Sequence, residues 1–337
     1  MTSSTSTSRL AAADGAAADR AWRRWIVAFC ASSAGVAGTI FLLLLLIDPY
    51  DSHRFPNLGL VGIADTNTRM AHVSRGRNPR FDSAIFGNST SQMIDPHRLS
   101  EETGLSFTSL PLPAAGPREE LALMRWVLRN HSRVGAWVIV TDPVWCSPDP
   151  HIWLEYPFPF WLYGTDLDYL ANVFNGKSFD RAAYRIQIAL GLLKPSDQVG
   201  YSDYALNSKS PGHFDPPPQF YIDPAPKAPF PWVDALGAMI RSLPADAAVV
   251  LLMPPVYHSM IPPPGSSMGE RLDRCKAALA QMVAGRKHSG FLDFRIDTAD
   301  TRDALNFNDG IHFRHKLARE QEAAIIGVLR QAPLARR

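Results

Sequence analysis

The stretch FDSAIFGNSTS (residues 81–91) joins a short apolar run to a polar turn. The run FDSAIFG (81–87) has the length of a buried β-strand, and the side-chain oxygens that follow it suit the start of a helix. Four later runs are also short and apolar: LSFTSL (105–110), AWVIVTD (136–142), AAVVLLMPP (247–255) and GFLDF (290–294). Helical patterns separate or follow them at 118–130, 232–243, 268–285 and 314–330. Strands that alternate with helices predict an α/β fold with a doubly wound parallel sheet.

A segment rich in proline and aromatic residues interrupts this alternation between positions 143 and 232. It contains HIWLEYPFPFWLY (151–163) and DPPPQFYIDPAPKAPFPW (215–232). Proline lacks a backbone donor and restricts its neighbours, so such a composition disfavours regular elements. We therefore predict an insertion at 143–232 with one helix near 180–193.

The run WIVAFCASSAGVAGTIFLLLLLI (25–47) has no charged residue. As a helix it is about 35 Å long, enough to cross a hydrocarbon core of about 30 Å. Arg20, Arg23 and Arg24 precede it, and the positive-inside rule places that end in the cytoplasm. We predict a cytoplasmic tail (1–24), disordered over its first 19 residues, an uncleaved transmembrane anchor (25–47), a stalk (48–80) and a periplasmic or extracellular domain (81–331).

The overall charge gives no reason to expect a nucleic-acid partner, because 34 basic residues nearly balance 32 acidic ones. Of the three cysteines, Cys30 lies in the apolar run. Cys146 and Cys275 are either a single disulfide or two separate thiols, and separate thiols are the commoner state.

Ser89 follows the first strand and begins the next predicted helix, where backbone N–H groups and the helix dipole favour a developing anion. A serine nucleophile needs a base within hydrogen-bond reach and a partner that orients the base. Asp309 and His312 provide both in one loop, with Gly310 between them. Taken singly, Ser89 also fits a helix cap and Asn308-Asp309-Gly310 fits a surface turn. Their occurrence together, at the two ends of one domain, favours a catalytic site.

The ordered motifs resemble the SGNH/GDSL hydrolase superfamily, in which a serine block comes early and an Asp-x-x-His block closes the domain. The blocks AIFGNSTSQMIDPHRL, SLPLPAAGPREEL, WVIVTDP and DGIHFRHKLARE resemble its membrane-anchored, exported branch, which includes proteins of alginate O-acetylation and lipoteichoic-acid D-alanylation. The resemblance implies an SGNH/flavodoxin-like domain over most of residues 48–330.

The resemblance also assigns roles to residues. Ser89 would be the nucleophile, His312 the base and Asp309 its orienting partner. The backbone N–H groups of Ser89 and Gly116 would belong to the oxyanion hole. The family's third donor is usually an asparagine after the third strand, but this chain has Asp142 there.

An aspartate repels an oxyanion unless it is protonated, so the third donor is open. Asn88 is a further candidate donor, at a position where the hydrolase motif often has Asp. We expect Ser89, Gly116, Asp142 and the 309–312 loop to meet at one edge of the sheet, because each follows a strand.

We expect an exported serine O-acyltransferase, most simply an O-acetyltransferase, that passes an acyl group through Ser89 to a hydroxyl of a cell-envelope polysaccharide. Its implied partners are a multi-spanning membrane-bound O-acyltransferase as acyl donor and the polysaccharide acceptor. The alternatives are a carbohydrate or lipid esterase that uses the same triad, and a non-catalytic glycan-binding or assembly scaffold. We expect no cofactor. His312 and His315 are three residues apart, but no cysteine or carboxylate cluster joins them in sequence, so we expect no metal.

Overall fold

The computed structural model describes residues 5–64, 67–149, 156–206, 225 and 227–330, with side chains from residue 19 onward. Its five strands are β1 (Ser83–Gly87), β2 (Phe107–Pro111), β3 (Ala136–Val140), β4 (Ala248–Met253) and β5 (Gly290–Asp293). They form one sheet in the order β2-β1-β3-β4-β5, and every pairing is parallel. Four of the five predicted apolar runs contain one of these strands, and the run 105–110 overlaps β2, which ends one residue later at Pro111. The prediction of an α/β fold with a parallel sheet is confirmed.

Helices account for most of the remaining described chain. They are α1 (Thr5–Ile47), α2 (Thr68–Arg75), α3 (Pro96–Thr103), α4 (Pro117–Asn130), α5 (Phe160–Tyr163), α6 (Asp166–Asn172), α7 (Gly176–Ala189), α8 (Pro231–Arg241), α9 (Ser267–Val283), α10 (Ala299–Arg302) and α11 (His315–Arg330). The predicted helices at 118–130, 180–193, 232–243, 268–285 and 314–330 correspond to α4, α7, α8, α9 and α11.

The sheet separates two apolar cores because successive side chains of a strand point to opposite faces. In β1, Ala84 and Phe86 face the first core, which α4, α8 and α9 cover. Ile85 faces the core that α3 and α11 cover. Both faces of the strands are therefore buried, which is why their sequences are continuously apolar.

Within the part of the chain that the structure describes, one helix is long and apolar enough to span a membrane, the part of α1 from Asp19 to Ile47. The helix α1 begins at Thr5, within the range for which we predicted a disordered tail. Leu44, near its C-terminal end, is buried, and Phe41 and Leu45 pack against the first core. The end of the apolar helix is thus part of the folded domain.

The range 48–80 does not form a separate stalk where the structure describes it. Tyr50, Asp51 and Ser52 are buried, and α2 packs six of its eight residues inward. His72 of α2 is fully buried and its Nε2 lies 2.6 Å from the carbonyl oxygen of Pro111. The turn-rich composition therefore did not indicate the short helix α2, whose polar side chains bind groups inside the domain.

The predicted insertion 143–232 is more regular than its composition suggested. Besides the expected helix α7 it contains α5 and α6, and α6 begins with a capping box formed by Thr165 and Asp168. Most of the stretch 215–232 and the first part of 151–163 lie outside the described residues.

Cys146 and Cys275 form a disulfide bond. Of the two states that the sequence left open for these cysteines, the disulfide is the one present. The bond connects the short 3-10 turn after β3 to α9, two elements that pack together beside the first core. Their separation of 129 positions in sequence gave no indication of this proximity.

The segment 197–200 covers the outer edge of β2. The backbone N–H of Ser109 donates to the carbonyl oxygen of Val199 at 2.7 Å, and the hydroxyl of Thr108 donates to the same oxygen at 3.2 Å. Gly200 has φ +80°, and a Cβ there would lie 2.2 Å from the carbonyl oxygen of Ser109. This close approach of two backbones requires glycine.

Candidate active site

Ser89 lies in a turn that leaves the carboxyl end of β1. Gly87, the last residue of the strand, has φ +148°, and a Cβ there would lie 2.8 Å from Cβ of Val140 on the neighbouring strand. Glycine is therefore needed for the chain to turn so close to β3. Ser89 then begins a 3-10 turn that ends at Met93.

The turn differs from the helix that we predicted at this position. The five residues Ser89–Met93 are 3-10, and the α-helix α3 begins only at Pro96. The full dipole of a long helix therefore does not point at Ser89, so any oxyanion stabilisation there depends on individual N–H groups.

Asp309 and His312 lie in the loop before α11. The carboxylate of Asp309 accepts hydrogen bonds from the backbone N–H groups of Ile311 (2.9 Å) and His312 (2.8 Å). An antiparallel bridge between Phe307 and Phe313 closes the loop, and both phenylalanines are buried. The backbone thus holds the acid and the histidine in one rigid turn.

Ser89, His312 and Asp309 form a hydrogen-bonded chain. Nε2 of His312 lies 2.8 Å from Oγ of Ser89, and Nδ1 of His312 lies 2.7 Å from Oδ2 of Asp309. Ser89 and His312 are 223 positions apart in sequence. The distances are those of a nucleophile, a general base and an acid that fixes the tautomer of the base.

The Asp309 carboxylate stays charged over a wide pH range. Partial burial raises its pKa, but the hydrogen bonds from the imidazole of His312 and from the two backbone N–H groups outweigh burial and lower the pKa to about 2. An ionised Asp309 suits the role of stabilising an imidazolium at His312.

Tyr204 forms a wall of the site that the sequence did not indicate. Its ring lies edge-on to that of His312, with centroids 5.2 Å apart, and its hydroxyl donates to the carbonyl oxygen of Phe313 at 3.0 Å. The adjacent Asp203 carboxylate lies 2.7 Å from Nε2 of His315. The two contacts attach the end of the 190–206 segment to the histidine loop.

Asn88 and Asp142 are adjacent to the serine turn and bind each other. The Asn88 amide nitrogen donates to Oδ2 of Asp142, and its amide oxygen accepts from the backbone N–H (3.0 Å) and the hydroxyl (2.8 Å) of Thr90. The other oxygen of Asp142 accepts from the backbone N–H of Val144 at 2.9 Å. Asp142 thus acts as an acceptor that holds Asn88, and Asn88 caps the turn that carries Ser89.

Glu120 of α4 is a buried acid near Asp142 that the sequence did not indicate. Burial, and then the negative charges of Asp142 and Glu119, raise the pKa of Glu120 well above its usual range. Its Oε2 has no hydrogen-bond partner among the described residues. In sequence Glu120 has the form of an ordinary acid in the first turn of a helix, so no local signal distinguished it.

Arg295 places a buried positive charge near these acids. Burial lowers the pKa of Arg295 to about 10, although the negative charges of Asp142 and Asp293 oppose that effect. For Asp142, burial raises the pKa, and the charge of Arg295 and the hydrogen bonds to Val144, Trp145 and Asn88 counteract only part of the shift. We call Glu119, Glu120 and Asp142 the acid cluster. The positive charge of Arg295 therefore offsets only part of the effect of burial on this cluster.

Gly116 lies at the N-terminus of α4, and its backbone N–H donates to the side chain of Glu119 at 3.2 Å. The expected oxyanion donor is thus engaged in a capping contact.

Among the described residues, one group of potential metal ligands comes together, formed by Asp48, Asp51 and His53. Asp51 already forms ion pairs with Arg77 (2.7 Å) and Arg185 (3.1 Å). The two arginines neutralise the negative charge of Asp51, which would otherwise attract a cation. Among the described residues, no contact joins this group to Ser89.

A cavity of about 790 Å³ lies between α4, α5 and α8. Ala122, Phe160, Trp161 and Met239 are among its lining residues, and none of Ser89, Asp309 and His312 is. The three residues of the hydrogen-bonded chain therefore lie outside this cavity.

No protein-family model matches the chain, and a search of curated proteins finds no match for it.

Proposed function

We propose that this protein is an exported, membrane-anchored serine O-acyltransferase with an SGNH-type fold. The hydrogen-bonded chain from Ser89 through His312 to Asp309 carries the proposal. The strand order β2-β1-β3-β4-β5 supports it, since flavodoxin-like sheets have this order and bind ligands at the carboxyl ends of their strands.

In the proposed reaction, Oγ of Ser89 attacks the carbonyl carbon of an acyl donor while Nε2 of His312 takes the hydroxyl proton. The tetrahedral intermediate then collapses, and the leaving group departs with the proton from His312. In the second half, His312 takes a proton from a hydroxyl of the acceptor, whose oxygen attacks the acyl-serine. Collapse returns the proton to Ser89. Asp309 stabilises the imidazolium in both halves.

Export is supported by three features of the chain. The charge-free run of residues 25–47, within the candidate membrane span of α1, follows three arginines, a charge pattern that retains the N-terminus in the cytoplasm. The Cys146–Cys275 disulfide is typical of oxidising compartments such as the periplasm or the cell exterior.

The proposed acyl donor is a multi-spanning membrane-bound O-acyltransferase, because acyl-coenzyme A is a cytosolic donor and does not reach an exported site. The proposed acceptor is a hydroxyl of a cell-envelope or exported polysaccharide. Membrane attachment of donor and enzyme would raise their effective concentration for each other.

The nucleophile is tested by intact-mass labelling of the full-length chain in detergent micelles with a serine-reactive phosphonofluoridate. We expect one adduct on the wild type and none on Ser89→Ala or His312→Ala. Ser91→Ala is the matched control, because Ser91 carries a hydroxyl in the same turn that donates to the carbonyl oxygen of Asn88 and has no contact with His312 among the described residues. An adduct that persists on Ser89→Ala would refute the assignment.

Hydrolysis with the same triad is the second candidate, and the openness of the site favours it. The side chain of Asp309 is 55% exposed and that of His312 25% exposed, so water reaches the region of the acyl-serine. Supplying an activated acetyl ester with and without an oligosaccharide separates the two functions. A transferase forms acylated oligosaccharide and turns over faster with it, whereas an esterase releases free acid at the same rate in both.

A further inference from the structure

Helix α7 has two faces with different surroundings. Ser178, Ala182 and Arg185 face the domain and are buried. On the outer side, Phe179, Ala183, Ile186 and Leu190 follow one another at intervals of four, three and four positions, the spacing of one helical face. All four are exposed, Leu190 to 68%. We call these four residues the outer stripe.

The buried face of α7 binds the end of the anchor helix directly. The guanidinium of Arg185 donates to the carbonyl oxygens of Ile47 (3.1 Å) and Gly62 (2.9 Å), and it pairs with Asp51. Since Ile47 is the last residue of α1, Arg185 satisfies one of the carbonyl groups that a helix end leaves open. The orientation of α7 relative to the anchor is therefore fixed.

Aromatic contacts continue this connection along the anchor. The ring of Phe41 in α1 lies 6.3 Å from that of Phe174, and Phe174 lies 5.5 Å from Phe179 of the outer stripe. Phe41 precedes Ile47 by six residues, about 9 Å along a helix axis. The outer stripe thus begins beside a part of α1 that lies below its end.

This position falls within the bilayer when α1 spans it. About 20 apolar residues cross the hydrocarbon core, and the apolar run begins at Trp25, so Phe41 lies inside that core. The ring of Phe174, 49% exposed, packs against it with the centroids 6.3 Å apart. An exposed aromatic side chain at this depth contacts lipid.

The loop after α1 presents apolar side chains around the same junction. The backbone N–H of Leu58 donates to the carbonyl oxygen of Leu46 at 2.8 Å, and Leu58 is 61% exposed. Val61 is 82% exposed and lies between two residues whose carbonyl groups bind Arg185. Exposed apolar residues of the loop and of α7 therefore lie together at the end of the anchor, as expected of a membrane-contacting surface.

We propose that α7 is an interfacial membrane helix whose outer stripe, together with Phe174, inserts into the outer leaflet beside the anchor. The inference rests on the membrane anchoring in the proposed function and is independent of the acyl chemistry. Interfacial helices insert about 5–10 Å into the boundary between headgroups and acyl chains. Because α7 carries both Lys177 and Asp180 on its exposed surface, insertion depends on apolar contact more than on anionic lipid.

The test uses the full-length chain in phosphatidylcholine nanodiscs, one chain per disc, with Cys30→Ser and the disulfide retained. Single cysteines are introduced at Ile186→Cys, Leu190→Cys, Val36→Cys and Leu305→Cys and carry an environment-sensitive fluorophore. Val36 reports on the anchor. Leu305 is the matched control, because it is an apolar residue, 65% exposed, in the loop that leads to the histidine.

Lipids with a spin label near the carboxyl end of the acyl chain are expected to quench the labels at positions 186 and 190 several-fold more strongly than the label at 305. Quenching at 186 and 190 should weaken when the spin label is moved to the methyl end of the chain, whereas position 36 should be quenched from within the core.

Two results would overturn the proposal. Quenching at 186 no stronger than at 305, with position 36 quenched, would show that the anchor inserts and α7 does not. Protection of 186 from both the lipid label and aqueous iodide would mean that another part of the same chain covers the outer stripe, and protection that occurs only in discs loaded with two chains would mean that a second copy covers it. An unquenched position 36 would reject the anchoring itself, and the phosphonate labelling of Ser89 would be unaffected by any of these outcomes.

Discussion

Asp309 and Glu120 are carboxylic acids close to the same edge of the sheet, yet their pKa values move in opposite directions. Asp309 accepts three hydrogen bonds in an open loop, and its pKa falls to about 2. Glu120 is buried beside other acids with one oxygen unpartnered among the described residues, and its pKa is raised. The comparison shows that hydrogen-bond partners, as well as burial, decide which acid at this edge carries charge.

The largest expected effect comes from the exposed acid. Asp309→Asn keeps the shape of the side chain but removes the charge and allows the wrong tautomer of His312, so labelling of Ser89 should slow by up to about 10⁴-fold. The rate of phosphonate adduct formation measures this. Asp203→Asn is the matched control. Asp203 pairs with His315 as Asp309 pairs with His312, but among the described residues it is His312 that contacts Ser89. Equal losses in both variants would assign the effect to loop stability.

The buried acid is expected to affect stability. Because folding raises the pKa of Glu120, its protonated form is favoured in the native state, and this contribution is present below the ordinary value of 4.5. It is lost as the pH rises through the folded-state pKa. Glu120→Gln should therefore be more stable than the wild type by roughly 1–3 kcal/mol at about pH 8, with a smaller difference at about pH 5.

Urea denaturation of the full-length chain in detergent, followed by tryptophan fluorescence, checks this at both pH values. Glu101→Gln, on the exposed surface of α3, is the control and should change neither curve. A variant that loses stability relative to the wild type as the pH rises would contradict the assignment of a raised pKa.

The smallest expected effect lies at Asn88, which connects the serine turn to the acid cluster. Asn88→Ala removes the cap of Thr90 and leaves Asp142 without its amide donor, so we expect a loss of about 1 kcal/mol in stability. A similar loss in positioning would slow adduct formation on Ser89 by roughly tenfold. Thermal unfolding and labelling measure the two effects, and Asn172→Ala on the exposed side of α6 is the control. An unchanged labelling rate would show that Asn88 does not position Ser89.

The strands and the longer helices were predictable because their signals are local. The apolar runs of β1 to β5 reflect burial on both faces, and the stripe of Leu121, Met124 and Leu128 on α4 reflects burial on one. The helix α2 was not predicted, because most of its buried residues are small or polar. Its contacts, such as that of His72 with Pro111, involve distant parts of the chain.

The site divides in the same way. The order of the serine and Asp-x-x-His blocks indicated Ser89, Asp309 and His312, and the structure brings those three together. Tyr204 was not predictable, because it reaches His312 from 108 positions away through an insertion with no recognisable pattern. Glu120 and Arg295 were not predictable either, since their interactions with Asp142 depend on burial that only the folded chain creates.

The segment 197–200 has a consequence for how the protein behaves in a crowded solution. Its hydrogen bonds to Ser109 and Thr108 occupy the outer edge of β2, which would otherwise present unpaired N–H and C=O groups to other chains. The segment 197–200 is part of the connection between α7 and Tyr204. Protection against edge-to-edge aggregation and the integrity of the site's wall therefore depend on one short piece of backbone that Gly200 allows to approach the sheet.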